Sequence, residues 1–109
     1  MLETENGRLP TAETQNAAIY LSLRDRRVLI TGGGSGIGEA LVEAFARQGS
    51  RVAFVDIADV PSRALVDRLG DSAWKPRFEH CDLTDVKALR KVIGDLDAQL
   101  GGFDVLVNN

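Results

Sequence analysis

Residues 31–38, Thr-Gly-Gly-Gly-Ser-Gly-Ile-Gly, form the most informative stretch of this 109-residue chain. They follow the apolar run 28–30, Val-Leu-Ile, and precede a segment with helical periodicity. Glycine allows a tight turn and a close approach of the backbone to a ligand. The first turn of a helix adds unpaired N–H groups and the positive end of the helix dipole. The stretch therefore predicts a turn that binds a pyrophosphate.

The spacing of the glycines narrows this interpretation. Gly32, Gly36 and Gly38 form the pattern Gly-x-x-x-Gly-x-Gly, which differs from the common Gly-x-Gly-x-x-Gly fingerprint. No Gly-Lys-Ser/Thr closes the turn, which excludes a nucleoside-triphosphate P-loop. Gly38 is expected to let the helix lie close to the sheet. The alternative is a flexible linker, but a linker does not need glycines in register with a helix start.

Apolar runs alternate with helical periodicity along the rest of the chain. Strands are predicted at residues 28–30, 52–55, 77–81 and 103–107. The expected inner faces of the three helices are Ile37, Leu41, Ala44 and Phe45; Leu65, Val66 and Leu69; and Leu89, Val92, Ile93, Leu96 and Leu100. Pro61 suits the first turn of the second helix, and Thr84 is the expected N-cap of the third. This order predicts a doubly wound parallel α/β sheet of Rossmann type, of which the chain holds the N-terminal half.

Composition indicates how the chain is divided into domains and which partners and cellular compartment it is expected to have. Residues 1–16 are mostly polar or structure-breaking and residues 17–21 are more apolar; residues 1–21 are predicted to form a tail, and residues 22–109 to form the dinucleotide-binding domain. A net charge of −3 without a Lys/Arg block argues against nucleic acid or membrane as a partner. The apolar runs are too short to span a bilayer. A single cysteine and an acidic N-terminus without an apolar core indicate a cytoplasmic protein.

An acidic residue follows the second strand. Asp56 lies roughly 20 residues beyond the glycine turn, where a doubly wound sheet presents a carboxylate to the adenosine ribose. The carboxylate accepts hydrogen bonds from the ribose hydroxyls and repels the 2′-phosphate of NADP. Gly34 and Ser35 in the turn and Ile57 after Asp56 add no compensating cation, so these residues are predicted to form an NAD site. The alternative role for Asp56 is a cap at the strand end.

Four motifs together resemble the short-chain dehydrogenase/reductase family over about residues 24–109. They are Thr31-Gly32-x-x-x-Gly36-Ile37-Gly38, Asp56, Cys81-Asp82-Leu83-Thr84-Asp85 and Asn108-Asn109. The resemblance implies that Asp82 accepts from the adenine amino group beside the Leu83 main chain. It also implies that Asn108 and Asn109 stabilise the sheet and touch the adenosine ribose. Gly32 and Ser35 would lie beside that ribose and its phosphate, and the Ile37 N–H would meet the pyrophosphate. A loop or helix cap is the alternative for Asp82, and a simple strand end for the two asparagines.

The resemblance also implies an NAD(P)-dependent enzyme. The catalytic serine and the Tyr-x-x-x-Lys pair of the family are expected beyond Asn109, since Tyr20, the only tyrosine, has no lysine four residues on. No catalytic residue and no metal ligands are therefore predicted in this chain. His80 is expected to be an ordinary strand residue and Cys81 a small packing residue.

A finer resemblance suggests a substrate. Residues 18–20, 54–59 and 62–65 are similar to bacterial NAD-dependent aldose 1-dehydrogenases of the D-xylose type, so the expected substrate is an alcohol or sugar, with an aldose oxidised at C1. The rivals are a 3-oxoacyl-carrier-protein reductase, a polyol or steroid dehydrogenase, and a nucleotide-binding module without turnover. Family members often assemble as tetramers, so a homo-oligomer is expected.

Overall fold

The computed structural model describes residues 23–109, which form a four-stranded parallel sheet with the strand order β3-β2-β1-β4. The elements in chain order are β1 (Arg27–Thr31), α1 (Gly36–Arg47), β2 (Arg51–Asp56), α2 (Asp59–Arg68), β3 (Arg77–His80), α3 (Val86–Leu100) and β4 (Val105–Asn108). The predicted tail at residues 1–21 lies outside the described residues. Between residues 23 and 109, no helix has both the length and the apolar character needed to cross a membrane.

All strand pairs are parallel, so the carboxyl ends of the strands meet at one edge of the sheet. Thr31 at the end of β1 is in register with Val55 of β2 and Asn108 of β4, while Asp56 is in register with His80 of β3. Connecting loops that follow parallel strands gather at this edge. The glycine turn and the residues after β2, β3 and β4 are therefore brought together.

The two central strands, β1 and β2, are buried on both faces, as their continuous apolar runs predicted. One face packs against α1 and α2 through Val28, Ile30, Val42, Ala46, Val52, Phe54, Leu65 and Leu69. The other face packs against α3 and the segment after β3 through Leu29, Ala53, Val55, Cys81 and Leu96. Burial raises the pKa of the Cys81 thiol, which keeps it protonated as the expected small packing residue. The doubly wound arrangement is confirmed.

The inner face of α1 differs from the prediction. Ile37 and Ala44 are exposed, and the buried residues are Gly38, Val42 and Ala46, spaced four apart. The shift has a physical reason: Gly38 lacks a side chain, so the first helical turn can press its backbone against the glycine turn only along that line. Leu41 and Phe45, which were also predicted on the inner face, are half-buried beside this line and pack against the core.

The start of α3 also differs from the prediction. The N-cap is Asp85, whose side chain accepts from Ala88 N at 3.1 Å. Thr84, the expected cap, is engaged elsewhere, because its N–H and hydroxyl both donate to Asp82 Oδ1. The far end of α3 is as expected, with Gly101 in the left-handed conformation (φ 80°).

Candidate functional site

The glycine turn between β1 and α1 is hydrogen-bonded to the end of β2. Gly32 N and Gly33 N donate to Val55 O at 2.8 and 3.4 Å. Gly34 N donates to Asp56 Oδ2 at 2.9 Å. Three successive amides thus bind one strand end, which holds the turn against the carboxyl edge of the sheet.

Three of the glycines are required by close contacts, and a Cβ on Gly33 would stand 2.7 Å from Phe54 Cβ. A Cβ on Gly38 would stand 1.8 Å from Gly32 O, and a Cβ on Gly34 would stand 2.3 Å from Ser62 Oγ and 2.9 Å from Asp56 Cγ. Gly36 has a different reason: its φ of +60° favours glycine, and nothing lies within 4 Å of its Cβ position. The turn is therefore closed toward the sheet and open in front of the helix.

The start of α1 presents unused donors to this open side. The amides of Ser35, Gly36 and Ile37 have no acceptor among residues 23–109, and all three residues are exposed. Ser35 is the N-cap residue, yet its side chain makes no capping bond, so its hydroxyl is also available. Free amides, the helix dipole and open space suit a diphosphate. A dinucleotide therefore fits the residues present, by way of its pyrophosphate.

Asp56 lies beside this turn with both carboxylate oxygens engaged. Oδ2 accepts from Gly34 N at 2.9 Å, and Oδ1 accepts from Ala58 N at 2.8 Å. The second bond is the strand-end cap that was the alternative role. A carboxylate has about four acceptor positions, so capping leaves about two for ribose hydroxyls. Ile57, the next residue, is 56% exposed at the same edge.

Asp82 and Leu83 lie one strand further along this edge. Cys81 N donates to Asp56 O at 3.0 Å, which brings the segment after β3 against the end of β2. Asp82 Oδ1 accepts from the Thr84 hydroxyl at 2.7 Å and from Thr84 N at 2.9 Å, and these bonds lower the pKa of Asp82. Asp82 Oδ1 therefore caps its loop, which was the alternative role for this residue. Leu83 is half-buried against the core cluster that includes Cys81 and Leu96.

Asn108 and Asn109 connect β4 to the glycine turn. The Thr31 hydroxyl donates to Asn108 Oδ1 at 3.0 Å and accepts from Asn109 N at 3.1 Å. Asn109 Nδ2 donates to Gly32 O at 3.0 Å. These bonds between β4, Thr31 and Gly32 are the kind of sheet-stabilising contact that the resemblance implied.

Ser62 is a neighbour of this site that was not predicted from the sequence. It is wholly buried, and its hydroxyl borders Gly34 and Asp56. Its position, three residues before Leu65 and seven before Leu69, places it on the predicted inner face of α2. Helical periodicity could therefore have indicated a buried serine here. Nothing in the sequence indicated that it faces Gly34.

His80 and Asp59 form a pair next to this region, with 2.8 Å between His80 Nδ1 and Asp59 Oδ1. Both side chains are about half exposed, and His80 lies on β3 at the edge of the four-stranded sheet. This agrees with the expectation of an ordinary strand histidine.

Comparison with known proteins identifies the family. The sequence profile described as short chain dehydrogenase matches residues 26–109, so the chain belongs to the short-chain dehydrogenase family. It is 51% identical over 94 residues to a D-xylose 1-dehydrogenase of Caulobacter vibrioides, covering 86% of this chain and 36% of that protein. It is 57% identical over 91 residues to a protein of Rhizobium meliloti named Probable galactose dehydrogenase, covering 83% and 36%. The chain thus spans 36% of the length of each of these relatives.

Solved structures agree with this fold. An NADH-dependent reductase in complex with NAD matches with a TM-score of 0.74 and 28% identity, over 83% of this chain and 38% of that one. A hydroxysteroid dehydrogenase from Escherichia coli matches with a TM-score of 0.75 and 29% identity, over 87% and 39%. The predicted family and the predicted Rossmann-type fold are both confirmed.

Proposed function

We propose that the protein is an NAD-dependent oxidoreductase that transfers hydride between an alcohol or sugar and the nicotinamide, with C1 of an aldose as the favoured position. The observation that carries this proposal is the Asp56 carboxylate, which the amides of Gly34 and Ala58 hold beside an open helix N-terminus. That arrangement joins a diphosphate site to a ribose site.

Each predicted site residue receives a binding role in this proposal. The amides of Ser35, Gly36 and Ile37 bind the pyrophosphate, and Gly38 allows the approach of the helix. The adenosine portion is bound by Gly32, Gly34, Ser35, Asp56, Ile57, Asp82, Leu83, Asn108 and Asn109. The dinucleotide supplies the hydride chemistry, while these residues bind and orient it. No catalytic residue is assigned within this chain.

The preference for NAD over NADP is proposed on electrostatic grounds. Two unit charges about 4 Å apart interact by roughly 1 to 4 kcal/mol for dielectric constants of 80 to 20. Each 1.4 kcal/mol is about tenfold in affinity, so one carboxylate can set a preference of tenfold or more. Asp56 also occupies the Gly34 amide, which would otherwise be a donor for a 2′-phosphate.

Replacement of Asp56 tests this preference. Asp56→Ala removes the negative charge, so the ratio of NAD affinity to NADP affinity should fall about fivefold or more. The ratio is the appropriate measurement, because losing the bonds to Gly34 and Ala58 alters the turn for both dinucleotides. Asp67→Ala, an exposed carboxylate on the outer side of α2, is the matched control and should leave the ratio unchanged. An unchanged ratio in Asp56→Ala would refute the role of Asp56.

The sugar substrate is proposed from the names of two relatives. Two relatives above 50% identity are named as dehydrogenases of sugars, D-xylose and galactose. A D-threitol dehydrogenase of Mycolicibacterium smegmatis is 36% identical over 81 residues, so a polyol is the second candidate. The complete gene product should be incubated with NAD and a panel of aldoses and polyols while NADH absorbance is followed. If the protein oxidises polyols but none of the aldoses, a polyol replaces the aldose as the proposed substrate.

Two classes of rival remain as outcomes of the same assay. Carrier-protein reductases of the family usually take NADPH, which Asp56 disfavours, and turnover with NADPH alone would favour them. Binding of NAD without turnover of any substrate would favour a nucleotide-binding module.

We also propose a cytoplasmic protein that assembles as a homo-oligomer, with a tail at residues 1–21 preceding the dinucleotide-binding domain. Light scattering of the complete gene product measures the assembly, and a monomer would contradict it.

A further inference from the structure

Ser62 carries a buried hydroxyl without a partner. Its side chain is fully buried on α2, and its Oγ has no hydrogen-bond partner among residues 23–109. Buried polar atoms of Gln48, Arg51 and Ser72 also lack partners within that range, but those residues are only partly buried. A buried hydroxyl without a bond is unfavourable, so its retention calls for a physical explanation.

The hydroxyl lies where a negatively charged acceptor is close. Ser62 Oγ is 2.3 Å from the position that a Gly34 Cβ would occupy, and Asp56 Oδ2 is 3.0 Å from the same position. The two side chains therefore flank the Gly34 backbone together. Asp56 Oδ2 is already engaged by Gly34 N at 2.9 Å. The Gly34 amide thus binds this carboxylate oxygen, and the Ser62 hydroxyl and the same oxygen both lie within 3.0 Å of the Gly34 Cβ position.

We propose that Ser62 is a positioning residue for Asp56 and that its hydroxyl donates to Asp56 Oδ2 when a nicotinamide dinucleotide is bound. The inference rests on the proposed function. A carboxylate oxygen can accept two hydrogen bonds, so Oδ2 can accept from Ser62 while it keeps the Gly34 amide, once the bound ribose has turned the carboxylate toward α2. In the dinucleotide-free protein the Ser62 hydroxyl has no acceptor among residues 23–109. Binding therefore gains a charge-assisted hydrogen bond that the free protein does not make.

Replacement of Ser62 gives an unusual combination of effects under this proposal. Ser62→Ala deletes a hydroxyl that is unsatisfied in the free protein, so the midpoint of urea unfolding without dinucleotide should stay the same or rise. NAD affinity, measured by calorimetry on the complete gene product, should fall about tenfold. Ser62→Cys keeps a similar volume with a weak donor and should lose affinity to a similar extent. A purely structural serine would lower the unfolding midpoint instead.

Two controls separate the inference from general disturbance. Ser72→Ala removes another buried, unpartnered hydroxyl from the loop after α2 and should leave NAD affinity unchanged. In an Asp56→Ala background, Ser62→Ala should change NAD affinity by less than about twofold, because the acceptor is gone.

The outcomes also separate the two proposals. If the wild-type protein binds NAD but neither Ser62 variant loses affinity, the role of Ser62 is overturned and the proposed function stands. The role of Ser62 is likewise overturned if the Ser62→Ala loss is equally large without the Asp56 carboxylate. If the wild-type protein binds no nicotinamide dinucleotide, both proposals are overturned.

Discussion

Gly38→Ala is the substitution for which the structure gives the clearest expectation. The added Cβ would stand 1.8 Å from Gly32 O and 2.7 Å from Asn109 Nδ2. Ordinary contacts between carbon and oxygen are about 3.3 Å or longer, so roughly 1.5 Å must be gained by movement. The obstacle is the backbone of a turn that hydrogen bonds hold to Val55 O, which leaves α1 as the element that has to shift.

The size of the effect follows from two opposing contributions. Overpacking typically destabilises by about 1 to 3 kcal/mol, and contact with a fixed backbone belongs at the upper end or beyond. The higher helix propensity of alanine returns about 1 kcal/mol. We therefore expect Gly38→Ala to lower the free energy of unfolding by at least about 2 kcal/mol. A displaced α1 also misplaces the free amides at its start, so NAD binding should weaken at the same time.

Urea unfolding of the complete gene product, followed by circular dichroism, measures the stability effect. Gly94→Ala is the matched control, because Gly94 is a helical glycine in α3 with nothing within 4 Å of its Cβ position. That variant should be more stable than the wild type by about 1 kcal/mol and should bind NAD normally. Both variants replace a helical glycine with alanine, but the free energy of unfolding should fall in Gly38→Ala and rise in Gly94→Ala. If Gly38→Ala proves as stable as Gly94→Ala, the close approach of α1 to the glycine turn is wrong.

Two further predictions concern the ends of the elements. The bonds from Arg27 lower the pKa of Asp104 from 3.8 to about 2, so the stabilisation by this pair is fully present above pH 3.8 and is lost as the pH falls toward 2. In acid unfolding, the difference in stability between the wild type and Asp104→Asn should therefore shrink as the pH falls through that interval. A stability difference that does not depend on pH would contradict the ion pair. Asp85→Ala should destabilise by about 1 kcal/mol in urea unfolding, because it removes the N-cap of α3. An effect of Asp85→Ala within error of zero would contradict that assignment.

Local signals predicted the central part of the fold well. β1 and β2 are buried on both faces, so each is a continuous apolar run that is visible without any knowledge of its neighbours. The glycine turn was equally visible, because close approach and positive φ both select glycine. Asp56 could be placed because a parallel sheet puts the residue after β2 beside the turn after β1.

The errors arose where several local solutions were equally good. Thr84 and Asp85 are both suitable N-caps, and the choice depended on Asp82, which engages both donors of Thr84. On α1, the lines through Ile37 and through Gly38 both have helical spacing. The backbone contact at Gly38 decided between them, and that contact is with a residue of the preceding turn.

The sequence by itself determined the class of fold, the position of the glycine turn and the acidic residue that follows β2, because these depend on periodicity and on backbone freedom within short segments. Only the tertiary structure decided that Asp56 binds the Gly34 amide, that Asn109 reaches Gly32 O and that Ser62 borders both Gly34 and Asp56. These contacts join residues distant in sequence, and they arise from the packing of α2 and β4 against the turn. No short-range preference encodes such packing, since it depends on how whole elements fit together.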